Sequence, residues 1–293
     1  MLTLPRLILS LLLAAAGAAD VFAQNANTLT PQELFQRNVG TREQQERQFP
    51  PHRVMGNIYY VSTETLAAFL ITTPQGHILV NSMYERTVPV IRASVEQLGF
   101  KFTDIKIVLG SHAHADHMEG DALVKELTGA QVLAMAEDVS ALEAMRPGGK
   151  AHPIDRVLHD GDQVTLGGTT LVGHLTPGHT KGCTTFTTKV QDAGKSYDLV
   201  IGCGFGSGGR PLVNNKDYPE VIDDFARTYK MARTLHADVF LGSHGNHWGL
   251  VDKLSRAGKG PNPFIDATTL PKHVDAYEKE YIDELAKQRA AAK

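Results

Sequence analysis

Residues 112–117 read His112-Ala113-His114-Ala115-Asp116-His117, and this run constrains the fold more than any other stretch. Four strong metal-binding side chains fall within six positions. An apolar, strand-like segment, Ile105 to Gly110, leads straight into them. Ligands on one face of a helix would recur four residues apart. The spacing here instead suits a loop leaving a strand, where His112 and His114 point together at one metal. Asp116 and His117 can then turn toward a second. Imidazole and carboxylate are the donors that a borderline cation such as zinc prefers. The competing reading is a solvated polar loop that happens to be rich in histidine.

Two further segments weigh against that reading. Thr176-Pro177-Gly178-His179-Thr180 and Leu241-Gly242-Ser243-His244 each set one histidine beside glycine at the end of an apolar run. Alone, neither would signify more than a surface or structural histidine. Together the three segments supply five histidines and one aspartate, enough for two sites of three ligands each. Three protein ligands leave a coordination position open, the pattern of a catalytic zinc. The expected sets are His112, His114 and His179 for one zinc, and Asp116, His117 and His244 for the other.

The rest of the chain reads as alternating elements. A helix is expected over 31–47, with Thr30 as its cap and Glu33 three residues on. Strands follow near 53–61, 65–73 and 77–81. Val88, Ile91, Val95 and Leu98 recur at helical spacing over 86–98. The strand at 105–110 carries the ligand loop. A helix near 119–128, a strand at 131–135 and a helix near 136–145 come next, and strands dominate from 156 to 203. Helix 218–235 leads to strand 238–242, and 271–289 forms a charged closing helix. No linker divides the chain, so residues 24–293 are read as one domain.

Composition agrees with a globular protein: 42% hydrophobic and 21% charged among 293 residues. A formal net charge of −3, with Lys and Arg dispersed, gives no reason to expect nucleic acid or an anionic membrane as partner. Residues 1–23 read as a signal peptide. Arg6 precedes the apolar stretch Leu7 to Ala16, and Val21-Phe22-Ala23 supplies a cleavage site before Gln24. The apolar stretch is short for a membrane span. The mature protein is therefore expected in a periplasm or outside the cell, without stable membrane association.

The ligand order H-x-H-x-D-H, T-P-G-H-T, G-S-H resembles that of the metallo-β-lactamase superfamily, from about Pro51 to about Leu270. Finer features resemble the third subclass of class B β-lactamases. They are Gly56-Asn57-Ile58-Tyr59-Tyr60-Val61, Phe69 to Leu79, Gly178 to Phe186, and Asn262-Pro263-Phe264-Ile265-Asp266. In that subclass the residue matching His117 binds the second zinc. The resemblance implies an α/β fold, a four-layer αββα sandwich with metals at the edge between two sheets, and two zinc ions per chain. It also implies hydrolysis of penicillins, cephalosporins and carbapenems by zinc-activated water, hence antibiotic resistance, with Asp116 orienting the nucleophile and no acyl-enzyme. Ser207, within Gly204-Phe205-Gly206-Ser207-Gly208-Gly209, would hydrogen-bond the substrate carboxylate; a flexible glycine loop reads equally well.

Cys183 and Cys203 are the chain's two cysteines. Strands 184–190 and 197–202, folded about Asp192-Ala193-Gly194-Lys195, would bring them nearly opposite, and the family offers precedent for a disulfide here. The rival reading makes Cys203 a zinc ligand. Several positions depart from the family pattern. Gly206 and Gly208 stand where serines are usual, Asn81-Ser82-Met83 replaces Asp-Thr-Gly, and Met118-Glu119 replaces Ala-Gly. Asn246, His247 and Trp248 are expected at the pocket mouth, with packing an equal reading for Trp248. A lactonase, thioesterase or glyoxalase-II-like hydrolase is the first rival function. Those relatives carry a bridging aspartate where this chain reads Gly202-Cys203-Gly204. A periplasmic zinc-binding protein with little turnover is a further reading, and a nuclease of the same superfamily the least favoured.

Overall fold

A computed structural model describes residues 31–293. The expected signal peptide and the Thr30 cap lie outside the described residues. Seven strands form one sheet in chain order: β1 (His52–Met55), β2 (Ile58–Tyr60), β3 (Phe69–Thr73), β4 (Gly76–Val80), β5 (Ile105–Leu109), β6 (Gln131–Met135) and β7 (Arg156–Leu158). The pairs from β1 to β4 are antiparallel and those from β4 to β7 parallel. Parallel neighbours need a crossover. The crossovers carry α3 (Val88–Gln97), then α4 (Ala115–Met118) with α5 (Asp121–Thr128), then α6 (Val139–Ala144).

The second sheet holds β8 (Gln163–Leu166), β9 (Thr169–Leu175), β10 (Thr184–Asp192), β11 (Lys195–Gly202) and β12 (Val239–Gly242), with β12 parallel to β11. Strand side chains alternate between faces, and the first sheet buries both. Leu70, Leu79, Val108 and Val132 pack on Val88, Ile91 and Val95 of α3 and Val124 of α5. Their chain neighbours Ile71, Ile78, Leu109 and Leu133 share a core with Leu171, Phe186, Leu199 and Ile201 of the second sheet. That core continues to α7 (Val221–Ala232) and α9 (Thr269–Ala291), where Phe225 meets Tyr281 at 4.9 Å between ring centroids. Each fully buried Leu, Ile or Phe stabilises by about 1.5–3 kcal/mol, which explains the near-continuous apolar runs of β4, β5 and β12. The order of layers is helix, sheet, sheet, helix, the expected αββα sandwich. No helix among the described residues is long and apolar enough to cross a membrane.

Three expectations need correction. The helix expected over 31–47 is two helices, α1 (Pro31–Val39) and α2 (Arg42–Glu46), broken at Gly40, whose φ of 70° no helix interior allows. Thr41 then starts α2 with a capping box to Gln44. The strand expected over 53–61 is the β1–β2 hairpin, with Met55 paired to Ile58. A further helix, α8 (Leu250–Arg256), follows the turn after β12 and was not anticipated.

Candidate metal centre

The ligand segments start at the carboxyl ends of strands, where open α/β sheets bind ligands. Past β5 the chain bends through His112 and Ala113, with His114 N donating to His112 O at 2.8 Å, then enters α4, which carries Asp116 and His117. His179 lies in the short loop between β9 and β10, pinned by Thr176 N donating to Cys183 O at 2.7 Å and Gly178 N to Thr180 O at 2.9 Å. His244 follows β12, where a bridge to Leu66 holds it against the segment before β3.

The fold brings all six expected ligands together in the expected sets. The donor atoms of His112, His114 and His179 lie within 4.8 Å of one another, and so do those of Asp116, His117 and His244. The sets adjoin, with the His112 and His117 ring centroids 4.1 Å apart.

The donors fit zinc on geometry as well as type. His179 Nδ1 lies 2.8 Å from Gly206 O, His244 Nδ1 3.3 Å from Thr65 O, and His112 Nδ1 3.1 Å from Ser111 Oγ. Such partners fix the ring and leave Nε2 for a metal. His112 Nε2 and His117 Nε2 are buried without a hydrogen-bond partner. Asp116 Oδ2 lies 3.2 Å from His117 Nε2 and 3.6 Å from His244 Nε2. The closer contact lacks hydrogen-bond alignment, as expected of two ligands of one cation rather than an ion pair.

Electrostatics prepare these groups. Burial, reinforced by neighbouring imidazoles, pushes His112 and His179 well below the ordinary histidine range. Burial also takes His114 and His244 down to about 4, with Asp116 opposing the shift in both. At neutral pH these four rings are uncharged, and their lone pairs are free for a metal. Burial alone would raise Asp116, but His117, His244 and His114 outweigh it and hold the carboxyl far below its usual range.

The Asn81-Ser82-Met83 segment, which supplies no ligand, buttresses the ligand loop. Asn81 Oδ1 accepts Ser111 N at 2.9 Å, while Ser82 N and Met83 N both donate to His117 O at 2.9 and 3.1 Å. Asn81 and Met83 have φ of 66° and 61°. Asparagine tolerates that region; for methionine it is strain stored at the site.

Ser207 lines a cleft bordered by one histidine of each ligand set, His179 and His244, together with Arg37, His247 and Tyr277. A Cβ on Gly206 would stand 2.8 Å from Cε1 of Tyr277, so the tyrosine ring occupies the space a side chain there would need. His247 lines the cleft, and Asn246 Nδ2 donates to Arg37 O at 3.2 Å. Trp248 is 2% exposed and packs among Tyr60, Phe69 and Phe264, so it is core. Arg210 donates Nε to Ser207 O at 3.1 Å, and its charge acts on His114 and His179. Arg37 and Tyr277 were not expected here, because only the tertiary fold brings them near the ligands, whereas Arg210 directly follows the Gly204–Gly209 loop in sequence.

Cys183 and Cys203 are joined as a disulfide with Cα atoms 5.8 Å apart. Cys203 Sγ lies 3.4 Å from His112 Nδ1, behind the centre, so its sulfur does not replace a ligand of either set.

Comparison with known proteins agrees with the geometry. The profile of the Metallo-beta-lactamase superfamily matches residues 66–244. The native FEZ-1 metallo-beta-lactamase from Legionella gormanii is 43% identical, with a TM-score of 0.79 covering 83% of this chain and 98% of that one. BJP-1, a subclass B3 metallo-beta-lactamase of Bradyrhizobium japonicum, is 34% identical, with a TM-score of 0.80 over 86% of this chain and 99% of that one. Among curated proteins, a hydroxyacylglutathione hydrolase of Hyphomonas neptunium is 33% identical over 117 residues, 39% of this chain. The human persulfide dioxygenase ETHE1 is 30% identical over 130 residues, 43% of this chain. The chain spans only 41% and 45% of the length of these two relatives. The superfamily profile covers more than half of the chain, which therefore belongs to the metallo-β-lactamase superfamily.

Proposed function

We propose that the protein hydrolyses the β-lactam ring of penicillins, cephalosporins and carbapenems with two zinc ions, and so confers antibiotic resistance. The observation that carries this reading is the likeness to the FEZ-1 metallo-beta-lactamase, 43% identical over 98% of that chain, with the second ligand set Asp116, His117 and His244 assembled beside the first. His112, His114 and His179 would hold one zinc and Asp116, His117 and His244 the other. Bound zinc lowers the pKa of water toward 7 and polarises a carbonyl.

The protein's own groups do the rest. The five histidines keep the centre compact, with His112, His117 and His244 buried and His114 and His179 half-buried. Asp116 directs Oδ2 at His117 and His244, leaving Oδ1 to accept a hydrogen bond from the attacking water and orient it. Water adds to the ring carbonyl carbon, the carbon–nitrogen bond breaks, and the nitrogen takes up a proton. Ser207 and Arg210, on the loop after β11, would bind the carboxylate that these antibiotics carry. The proposed setting is a periplasm or the extracellular space, after removal of residues 1–23.

The partial match to hydroxyacylglutathione hydrolase favours a second reading, thioester or lactone hydrolysis at the same centre. Against it stands Gly202-Cys203-Gly204 after β11, with its cysteine tied into a disulfide, where those relatives carry a bridging aspartate. The deciding experiment is hydrolysis of a chromogenic cephalosporin and a carbapenem by zinc-loaded protein, with and without a chelator. Chelator-sensitive, zinc-restored ring opening is expected. Intact lactams together with cleavage of a thioester or lactone would overturn the substrate assignment and leave the metal centre standing.

A further inference from the structure

Asp138 closes the short 3-10 turn Ala136–Asp138 that follows β6 and stands directly before α6, the position from which aspartate ordinarily caps a helix. Its side chain makes no capping bond there. It turns inward instead and is 3% exposed. Oδ2 accepts hydrogen bonds from Ala113 N at 2.8 Å and Thr180 Oγ1 at 2.9 Å, and Oδ1 accepts Gly182 N at 2.7 Å. Ala113 lies between His112 and His114. Thr180 directly follows His179. One buried carboxylate thus joins the two segments that supply every member of the three-histidine set. Its bond on the 112–117 run falls at Ala113, between the two histidines of that set, and these three bonds reach neither Asp116, His117 nor His244 themselves. The approach is close: a Cβ on Gly182 would stand 2.6 Å from Asp138 N.

We infer that Asp138 is a positioning residue for the three-histidine metal site, clamping the His112–His114 and His179 segments at the spacing that one metal requires. The inference rests on the reading of His112, His114 and His179 as ligands. All three partners of the carboxylate are donors, so the side chain must accept at both oxygens. Asparagine has nearly the same shape but turns an N–H₂ toward at least one of those donors. A shorter side chain such as alanine leaves all three donors buried and unpaired. Outer partners of this kind typically govern metal affinity by about 10–100-fold.

The test is zinc titration of the metal-free full-length protein against a chromophoric chelator, resolving the tighter and weaker site, alongside the melting temperature of each metal-free form. Asp138→Asn is expected to weaken one of the two sites by about 10–100-fold and leave the other as in the parent. Thr180→Val, which removes one of the three bonds and keeps the fold, is expected to weaken the same site by a smaller factor. His179→Ala identifies the affected site, since it should abolish the site that Asp138→Asn weakens. Two unchanged sites in Thr180→Val, or equal weakening of both in Asp138→Asn, would overturn the assignment. A drop in metal-free melting temperature with zinc affinities unchanged would do the same, reducing Asp138 to a structural tether. A parent protein that takes up no zinc would overturn the metal reading itself, an outcome distinct from these.

Discussion

Replacing both Cys183 and Cys203 with alanine tests how the second sheet is held and whether the sulfurs serve the metal. The bridge closes a loop with a sequence separation of 20. For such a loop the chain-entropy relation gives about −11 cal/mol/K for the unfolded chain, or about 3.3 kcal/mol at 25 °C. A domain of this size shifts its melting temperature by about 2–4 °C per kcal/mol. The double variant should therefore melt about 7–13 °C lower. Zinc content should stay at the parent level, because both sulfurs lie behind His112 rather than within either ligand set. Thiol titration of the unfolded, unreduced parent comes first and should find no free thiol. Scanning calorimetry and metal analysis of the variant follow. Two free thiols in the parent, or a variant that melts like the parent yet loses zinc, would refute the reasoning and return Cys203 to the ligands.

Three other outcomes are expected. Ala193 sits exposed in the two-residue turn between β10 and β11 with φ of 48°, a region that costs alanine about 1–2 kcal/mol. Ala193→Asn should therefore raise stability in chemical denaturation, and an unchanged or lower midpoint would show that the turn is not strained. His273 packs against Phe205 and Phe240, and burial lowers it to about 3, far below an unfolded histidine near 6.5. Unfolding then takes up a proton between pH 6.5 and 3, so this residue's contribution to stability is present above pH 6.5 and falls away as pH drops toward 3. His273→Phe should flatten the stability–pH curve across that window, and an unaltered slope would show that the ring is not held neutral. Asp116→Asn removes the one negative ligand and the group that orients water, and should lower turnover by several orders of magnitude in a steady-state assay; a loss below tenfold would assign that role elsewhere.

Much of the centre was legible because its chemistry is local. His112 to His117 are neighbours in the chain, and His179 and His244 each end an apolar strand beside glycine. The four-layer fold was implied by the family resemblance that these ligands carry, and the apolar runs alternating with helical spacing fit it. What stayed hidden depends on distance. Asp138 reads as an ordinary helix start, and only the fold turns it toward residues 113, 180 and 182. Tyr277 lies 71 residues beyond Gly206 in sequence yet fills the space beside it. The β1–β2 hairpin was merged because Val54 to Val61 is apolar on both sides of its turn. The break between α1 and α2 was readable from Gly40-Thr41 followed by Gln44, a capping box that strong helix formers on either side masked.

The two-metal centre is tested most directly by native mass spectrometry of zinc-loaded protein, alongside His244→Ala. The account predicts two zinc ions per chain in the parent. It predicts one in the variant, which loses a ligand of the second set and keeps His112, His114 and His179 intact. A parent that binds one zinc or none under zinc-replete conditions, or a His244→Ala protein that still holds two as firmly as the parent, would contradict it.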